Sequence, residues 1–197
     1  MVRSQSISAN SKLDVGTSIR PIVAALLLCL SLPMTAVADQ GETIDVAKTP
    51  IDAKSVAQGL FPEDECEQLK AAGFKCMGFK PAVRYSLPAI AFKLGSADLP
   101  DALKKQLEIF ADVLRARKGS GKVVRIEGHA DASGIAANNL VLSQRRAESV
   151  REFLVTKGAD PAMLQPVGLG ANVPKNASDP LSAENRRVEI GRADPPR

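Results

Sequence analysis

Two periods of hydrophobic positions alternate along the second half of the chain. After Pro100, large apolar side chains recur at intervals of four, three and four residues, which places them on one face of a helix. They are Leu103, Leu107, Phe110 and Leu114. A second apolar stripe begins beyond Asn138 or Asn139, either of which can cap a helix, and ends near Gly158. The pattern predicts two amphipathic helices, each with one buried face.

Short apolar runs typical of strands flank these helices. The candidate strands cover residues 83–93, 122–127, 164–170 and 186–191. The predicted order is therefore β-α-β-α-β-(α)-β. We predict an α/β (α+β) domain over residues 81–193, with a mixed four-stranded sheet and helices packed on one face. Residues 194–197 are predicted to be a tail.

The first 38 residues have the pattern of a secretory signal peptide. Three basic residues and one acidic residue precede an apolar run from Pro21 to Leu32, and residues 36–38 supply a small-x-small cleavage site. The run is shorter than the ~20 residues that a membrane-spanning helix needs. We expect cleavage after Ala38, with no transmembrane span left, rather than an uncleaved anchor. Acylation of Cys29 is a further alternative, but Leu28 stands where a lipobox has a small residue.

Removal of this leader changes the charge balance. Three of the 26 basic and one of the 22 acidic residues lie in residues 1–38, so 23 remain against 21 and the net charge falls from +4 to +2. A nearly neutral domain with one Tyr and no Trp is a poor candidate for nucleic-acid binding. One His and three Cys exclude multi-histidine metal sites and four-cysteine zinc sites. We predict neither a metal nor a cofactor.

Residues 39–80 form an N-terminal extension that contains a pair of cysteines. Residues 39–60 are polar with scattered apolar positions and are predicted to be a tail or linker, with a short helix at its end. The acidic residues 63–65 beside Pro62 are typical of a helix start. In an exported chain, Cys66 and Cys76 are expected to form a disulfide. For a loop of about ten residues, the chain-entropy model predicts that this disulfide stabilises the folded state by roughly 2.5–3 kcal/mol. Free thiols are the alternative, and a redox role lacks the CxxC pattern.

Three blocks of sequence carry the candidate chemistry. They are GHADASG at 128–134, NLVLSQRRAESV at 139–150 and NRRVEIGR at 185–192. Two further elements accompany them, Gly168-Leu169-Gly170 followed by Pro174, and IAFKLGSADL at 90–99. In residues and spacing, this set resembles the OmpA C-terminal family, the peptidoglycan-binding module, over about residues 85–192. The resemblance implies the fold of that family and non-covalent binding of the peptidoglycan stem peptide at its diaminopimelate residue.

By this resemblance, five residues form the ligand site: Ala130, Asp131, Asn139, Arg146 and Arg186. Asp131 would take the ammonium group of the ligand, and Arg146 its carboxylate, which a planar guanidinium can hold with two hydrogen bonds. Asn139 lies near a helix start, where free backbone amides favour an anion, and Arg186 adds positive charge. Ala130 stands where the family usually has Thr or Ser, so a hydroxyl contact to the ligand is lost.

Two simpler interpretations compete with ligand binding. Asp131 and Arg146 could pair with each other in a salt bridge that only stabilises the fold. His129, near Ser133 and Ser143, could belong to a hydrolase, but a working triad needs a base, an orienting group and an oxyanion hole, and no G-x-S-x-G elbow is present. We predict that the protein is not an enzyme, and the resemblance makes His129 a structural residue.

The predicted role is envelope anchoring in the periplasm, in association with the cell wall or the outer membrane. The predicted partner is the peptidoglycan stem peptide. An alternative is an adaptor that binds another envelope protein through residues 39–80, with wall binding secondary or lost. The alternative is motivated by the extension, which the family motif does not explain, and by Ala130.

Overall fold

The computed structural model describes residues 42–78, 81–88, 92–93 and 95–193. The predicted signal peptide at 1–38, the alternative acylation of Cys29 and the predicted tail at 194–197 lie outside these ranges. Within the described ranges, no helix has both the length and the apolar character needed to cross a membrane.

Five strands form a single mixed sheet. They are β1 Thr43–Asp45, β2 Arg84–Pro88, β3 Val124–His129, β4 Leu164–Gly170 and β5 Arg187–Arg192. Their order across the sheet is β1-β2-β5-β3-β4. β1 is parallel to β2, β3 is parallel to β4, and β5 is antiparallel to both β2 and β3. The first four strands therefore end at the same edge, where β5 begins. We call this edge the carboxyl edge of the sheet.

The prediction of four strands is wrong by one strand, because β1 lies in the segment predicted to be a tail. β1 has three residues, and main-chain hydrogen bonds pair it with β2. The Val46 amide donates to the Ser86 carbonyl at 3.0 Å, and the Arg84 amide donates to the Glu42 carbonyl at 2.9 Å. Backbone pairing of this kind leaves no period-two signal in so short a stretch.

Four helices accompany the sheet: α1 Ala53–Leu60, α2 Glu63–Ala71, α3 Asp101–Arg115 and α4 Ala136–Thr156. Short 3-10 turns cover Pro161–Met163 and Ala183–Asn185. The sheet and helices share one buried core, which includes the predicted stripe on α3 together with Tyr85, Ile126, Val150, Val188 and Ile190. This arrangement confirms the predicted mixed sheet covered by helices. Between β4 and β5, the optional helix is represented only by the second 3-10 turn.

The segment predicted to be a polar linker contributes to the core. Val56, Leu60 and Phe61 are fully or almost fully buried, and the Tyr85 hydroxyl donates to the Ser55 carbonyl at 2.9 Å. Asp52 caps α1 by accepting a hydrogen bond from the Ser55 amide at 2.7 Å. Only the short helix at the end of this segment was predicted, because three apolar residues give too weak a periodic signal.

A disulfide and an ion-pair network hold α2. Cys66 and Cys76 are joined, with a Cα–Cα distance of 5.5 Å. The Glu63 carboxylate accepts from Lys122 Nζ at 2.7 Å and from Arg192 Nη1 at 2.5 Å. Burial raises the pKa of Glu63, but these two hydrogen bonds outweigh it and lower that pKa to about 2. α2 is thereby fixed to the ends of the sheet near β3 and β5.

Candidate ligand-binding site

The residues predicted to bind ligand gather at the carboxyl edge of the sheet. Asp131 follows β3 by two residues, and Arg186 directly precedes β5, which is the neighbour of β3. Side chains from two segments far apart in the chain therefore meet there, because β5 runs antiparallel to β3. Loops at such an edge can expose polar groups to a ligand while the strands hold them in place.

Asp131 is an ionised carboxylate at the centre of the site. Its side chain is only 9% exposed, and its Oδ2 accepts from Arg186 Nη1 at 2.6 Å. Its Oδ1 accepts from the Ser133 amide at 3.1 Å and also from the Ser133 hydroxyl. Burial raises the pKa of Asp131, but the hydrogen bonds from Ser133 and Arg186 outweigh it, and that pKa is lowered. Ser133 was missed as a site residue, although Asp-x-Ser is a common turn signal.

Asn139 holds the loop that carries Asp131. Its Nδ2 donates to the Asp131 carbonyl at 3.1 Å and to the Ser133 carbonyl at 2.6 Å. The prediction that Asn138 or Asn139 caps α4 is wrong, since α4 begins at Ala136 with Ile135 at the cap position and no side-chain cap. Asn139 is one turn inside the helix and reaches back to the loop, so its amide group positions Asp131.

Arg146 lies on α4, and its side chain is almost completely buried. Its Nε donates to the Ser96 carbonyl at 3.0 Å, and its guanidinium lies 5.0 Å from the centroid of the Phe92 ring. Burial and the positive charge of Arg186 lower the pKa of Arg146, while Asp131 raises it. Phe92 and Ser96 were not predicted as site residues, because their contact with α4 depends on how the segment after β2 folds.

The competing interpretation, an ion pair between Asp131 and Arg146, is not what the structure contains. Asp131 pairs with Arg186, and within the described part of the chain no carboxylate lies within 4.0 Å of the Arg146 guanidinium. Arg145 is exposed, and Arg187 is buried against Glu189 at 2.6 Å. The site therefore has one carboxylate paired with the Arg186 guanidinium, and a second guanidinium, Arg146, close enough to feel both charges and without an anionic partner in the described ranges.

Ala130 lies at the junction of β3 and β4. It is 6% exposed, and its amide donates to the Gly170 carbonyl at 2.8 Å. The register of these two strands shifts between Gly128 and His129, next to this bond. Ala130 therefore contributes backbone pairing that holds the Asp131 loop at the sheet edge.

A buried charged cluster lies on the sheet beside the site and includes His129. The side-chain ligand atoms of Glu127, His129 and Glu189 lie within 4.8 Å of one another. Both carboxylates are already paired, Glu127 with Arg84 at 2.5 Å and Arg125 at 3.1 Å, and Glu189 with Arg187. Three guanidinium groups around two carboxylates make a poor environment for a metal cation.

His129 is completely buried and neutral. Neither ring nitrogen has a hydrogen-bond partner among the residues described by the structure. Burial lowers the pKa of His129 to about 4, and the charge of Arg187 acts in the same direction. The expectation from the resemblance, a structural histidine, agrees with its burial.

The family of the chain follows from a match that covers this whole site. Residues 91–187 match the model of the OmpA family. Residues 91–187 are an OmpA-family domain. The matched region includes all five predicted ligand residues and leaves out β1, α1, α2, β2 and the disulfide. The family model does not cover these segments.

Named relatives share this region. The chain is 40% identical over 101 residues to the peptidoglycan-associated lipoprotein of Pseudomonas aeruginosa, a match that covers 50% of this chain and 58% of the relative. It is 38% identical over 103 residues to the peptidoglycan-binding protein ArfA of Mycobacterium tuberculosis, covering 51% of this chain and 31% of the relative. The chain thus spans less than two thirds of either curated relative. Both relatives are named for association with peptidoglycan or for binding to it.

Among solved structures, the chain resembles a MotB-like protein from Desulfovibrio vulgaris. The TM-score is 0.50 at 25% identity, over 72% of this chain and 94% of the other. The likeness extends beyond the 97 residues of the family match to part of the N-terminal region. The fold of the OmpA-like domain is thus common to both.

Proposed function

We propose that this protein binds peptidoglycan without a covalent bond, through the diaminopimelate residue of the stem peptide, and thereby anchors itself to the wall in the periplasm. The observation that carries the proposal is the arrangement at the carboxyl edge, where a buried carboxylate is paired with one guanidinium and lies near a second one that has no anionic partner in the described ranges. An amino-acid head group offers an ammonium and a carboxylate on one carbon, so it needs both charges close together. The names of the relatives support the same ligand class.

The chemistry assigns complementary roles to the two charged ends of the site. An ionised carboxylate has about four acceptor directions, and three on Asp131 are used by Ser133 and Arg186. The ligand ammonium takes the remaining one or displaces Arg186. Arg146 uses Nε for Ser96, which leaves its two Nη groups for the ligand carboxylate. Asn139 and Ser133 keep the carboxylate of Asp131 in place.

This proposal implies a modest affinity for one site. A few charge-assisted hydrogen bonds to one amino acid correspond to a dissociation constant in the micromolar to millimolar range, on the order of −4 to −8 kcal/mol. The wall repeats its stem peptides, so a protein tethered to a partner gains avidity.

Replacement of Asp131 with Asn is expected to weaken binding to diaminopimelate-type sacculi by about 10- to 100-fold, because a hydrogen bond to a charged group contributes about 1.5–3 kcal/mol. The measurement is cosedimentation of the exported form of the full chain, purified from cells, with free diaminopimelate as competitor. Asp101→Asn, which removes an exposed carboxylate at the start of α3, is the matched control and should bind like the wild type. If the folded wild-type protein does not pellet with sacculi, the proposal is wrong.

A second candidate function is that of an adaptor for another envelope protein. Three apolar side chains on the disulfide-closed segment and directly after it are exposed: Leu69 at 43%, Phe74 at 65% and Met77 at 96%. They lie outside the family match. The double variant Phe74→Ser and Met77→Ser should lose a cross-linked partner in intact cells by at least about fivefold, for ~1 kcal/mol of lost apolar burial, and still pellet with sacculi. An unchanged cross-linking pattern would count against the adaptor.

A further inference from the structure

A cavity beside the proposed site joins the N-terminal segment to the OmpA-like region. Its volume is about 180 Å³, and it lies between the end of β1, the strand β2 and the segment before β5. The residues that line it are Asp45, Ala47, Lys48, Ser86, Pro88, Lys175, Ala183, Glu184, Arg186 and Arg187. The first five precede the family match, which begins at residue 91. Half of the residues that line the cavity therefore lie outside the family match.

The two lysines of this cavity favour an anionic group. The other two cations in its lining, Arg186 and Arg187, are already paired with Asp131 and Glu189, and Glu184 is a second carboxylate beside Asp45. Lys175 Nζ lies 3.1 Å and Lys48 Nζ 3.8 Å from the same oxygen of Asp45. Two ammonium groups thus share one carboxylate, and within the described ranges neither has a second acidic partner within 4.0 Å. A further carboxylate placed between the lysines would complete the pairing.

The size and apolar part of the lining indicate a small residue. Ala47, Pro88 and Ala183 contribute short apolar side chains. A volume of 180 Å³ corresponds to roughly six water molecules at about 30 Å³ each. One small aliphatic amino acid with its carboxylate fits in this space.

Arg186 connects the cavity to the proposed diaminopimelate site. It lines the cavity and also donates to Asp131 at 2.6 Å. A ligand bound at Asp131 is therefore next to the cavity, and an adjoining residue of the same ligand can enter it.

We propose that this cavity is a second subsite, which takes the carboxylate of a small C-terminal residue that follows diaminopimelate in the stem peptide. The proposal rests on the proposed function and extends it. Lys175 and Lys48 bind the carboxylate, and the three apolar residues contact the small side chain. The N-terminal segment thereby becomes part of the ligand site rather than only an attachment to it.

Two synthetic peptides test the subsite by titration calorimetry with the exported full chain. Both contain diaminopimelate followed by a terminal alanine, one with a free carboxylate and one with an amide. The wild-type protein should prefer the free carboxylate by about fivefold, the size of one partly exposed charge pair. Lys175→Ala should remove this preference and leave the affinity for the amide unchanged. Lys48→Ala should reduce it, and Lys104→Ala, on the exposed surface of α3, should not.

Each result has a distinct meaning. Restoration of the preference by Lys175→Arg supports a charge role over a purely structural one, and thermal melting verifies that the variants are folded. Equal affinity of the wild type for both peptides, or a preference that survives in Lys175→Ala, overturns the subsite. If neither peptide binds the wild type, the proposed function itself fails.

Discussion

Replacement of Gly128 with alanine is expected to destabilise the protein by about 3 kcal/mol or more, at the upper end of overpacking effects. A Cβ at this position of β3 would lie 2.0 Å from the carbonyl oxygen of Ser143 on α4. That oxygen belongs to a helix backbone, so it cannot rotate away as a side chain would. On the adjacent strand, a Cβ at Gly168 would lie 2.5 Å from the Gln144 amide nitrogen. The two glycines let α4 lie directly on the sheet.

The same helix carries Asn139 and Arg146, so Gly128→Ala should also weaken binding to the wall. Urea unfolding followed by circular dichroism measures the loss of stability. The control is Gly119→Ala, a position with φ +77° and no atom within 4 Å of the added Cβ. Gly119→Ala is expected to lower the free energy of unfolding by about 1–2 kcal/mol, because alanine is strained in the left-handed backbone conformation. Equal losses in the two variants would contradict the close contact between α4 and β3.

Acidification from pH 6.5 to pH 4 is expected to lower the free energy of unfolding by about 3 kcal/mol through His129 alone. The pKa of His129 is lowered from 6.5 to about 4 in the folded state. Between these two values the unfolded chain binds a proton that the folded chain does not, so stability falls by up to about 1.4 kcal/mol per pH unit. The contribution of neutral His129 to the free energy of unfolding is complete above pH 6.5 and is lost as the pH falls toward 4. Charged neighbours are Glu127 on β3, Arg84 on β2, and Arg187 and Glu189 on β5.

The chain contains one histidine, which makes this assignment simple to check. The free energy of unfolding is measured by urea titration between pH 7 and pH 5, above the range where most carboxylates titrate, and the part of the loss that falls in this window is about 2 kcal/mol. His129→Gln should lower the stability at pH 7 and flatten its pH dependence in this window. A wild-type slope that persists in the variant would show that another group takes up the proton.

Helices and strands could be predicted from the sequence where their apolar side chains recur with a helical or strand period. α3 has a complete apolar stripe, and β4 was predicted with the same bounds that the structure shows, residues 164–170. β1 could not be predicted, because its three residues are held by main-chain hydrogen bonds. α1 was anticipated only as a short helix, since its contact with Tyr85 joins residues 30 positions apart.

The site was predictable as a set of residues but not as a set of contacts. The family blocks contain Asp131, Asn139, Arg146 and Arg186, and all four lie near the carboxyl edge. The ion pair of Asp131 with Arg186 spans 55 positions and depends on β5 lying beside β3. The contacts of Arg146 with Phe92 and Ser96 likewise depend on tertiary packing, for which spacing along the chain gives no signal.

The position of β5 in the sheet determines when the sheet can form during folding. It follows the other four described strands along the chain, yet it lies between β2 and β3 and joins the two halves of the sheet. Before β5 pairs with them, β2 and β3 each have an unpaired edge. Such edges promote aggregation and are exposed to proteases. A chain that stops before Arg187 lacks this central strand and cannot close its sheet. In such a chain Arg186 is not held beside Asp131, so the proposed ligand site cannot form.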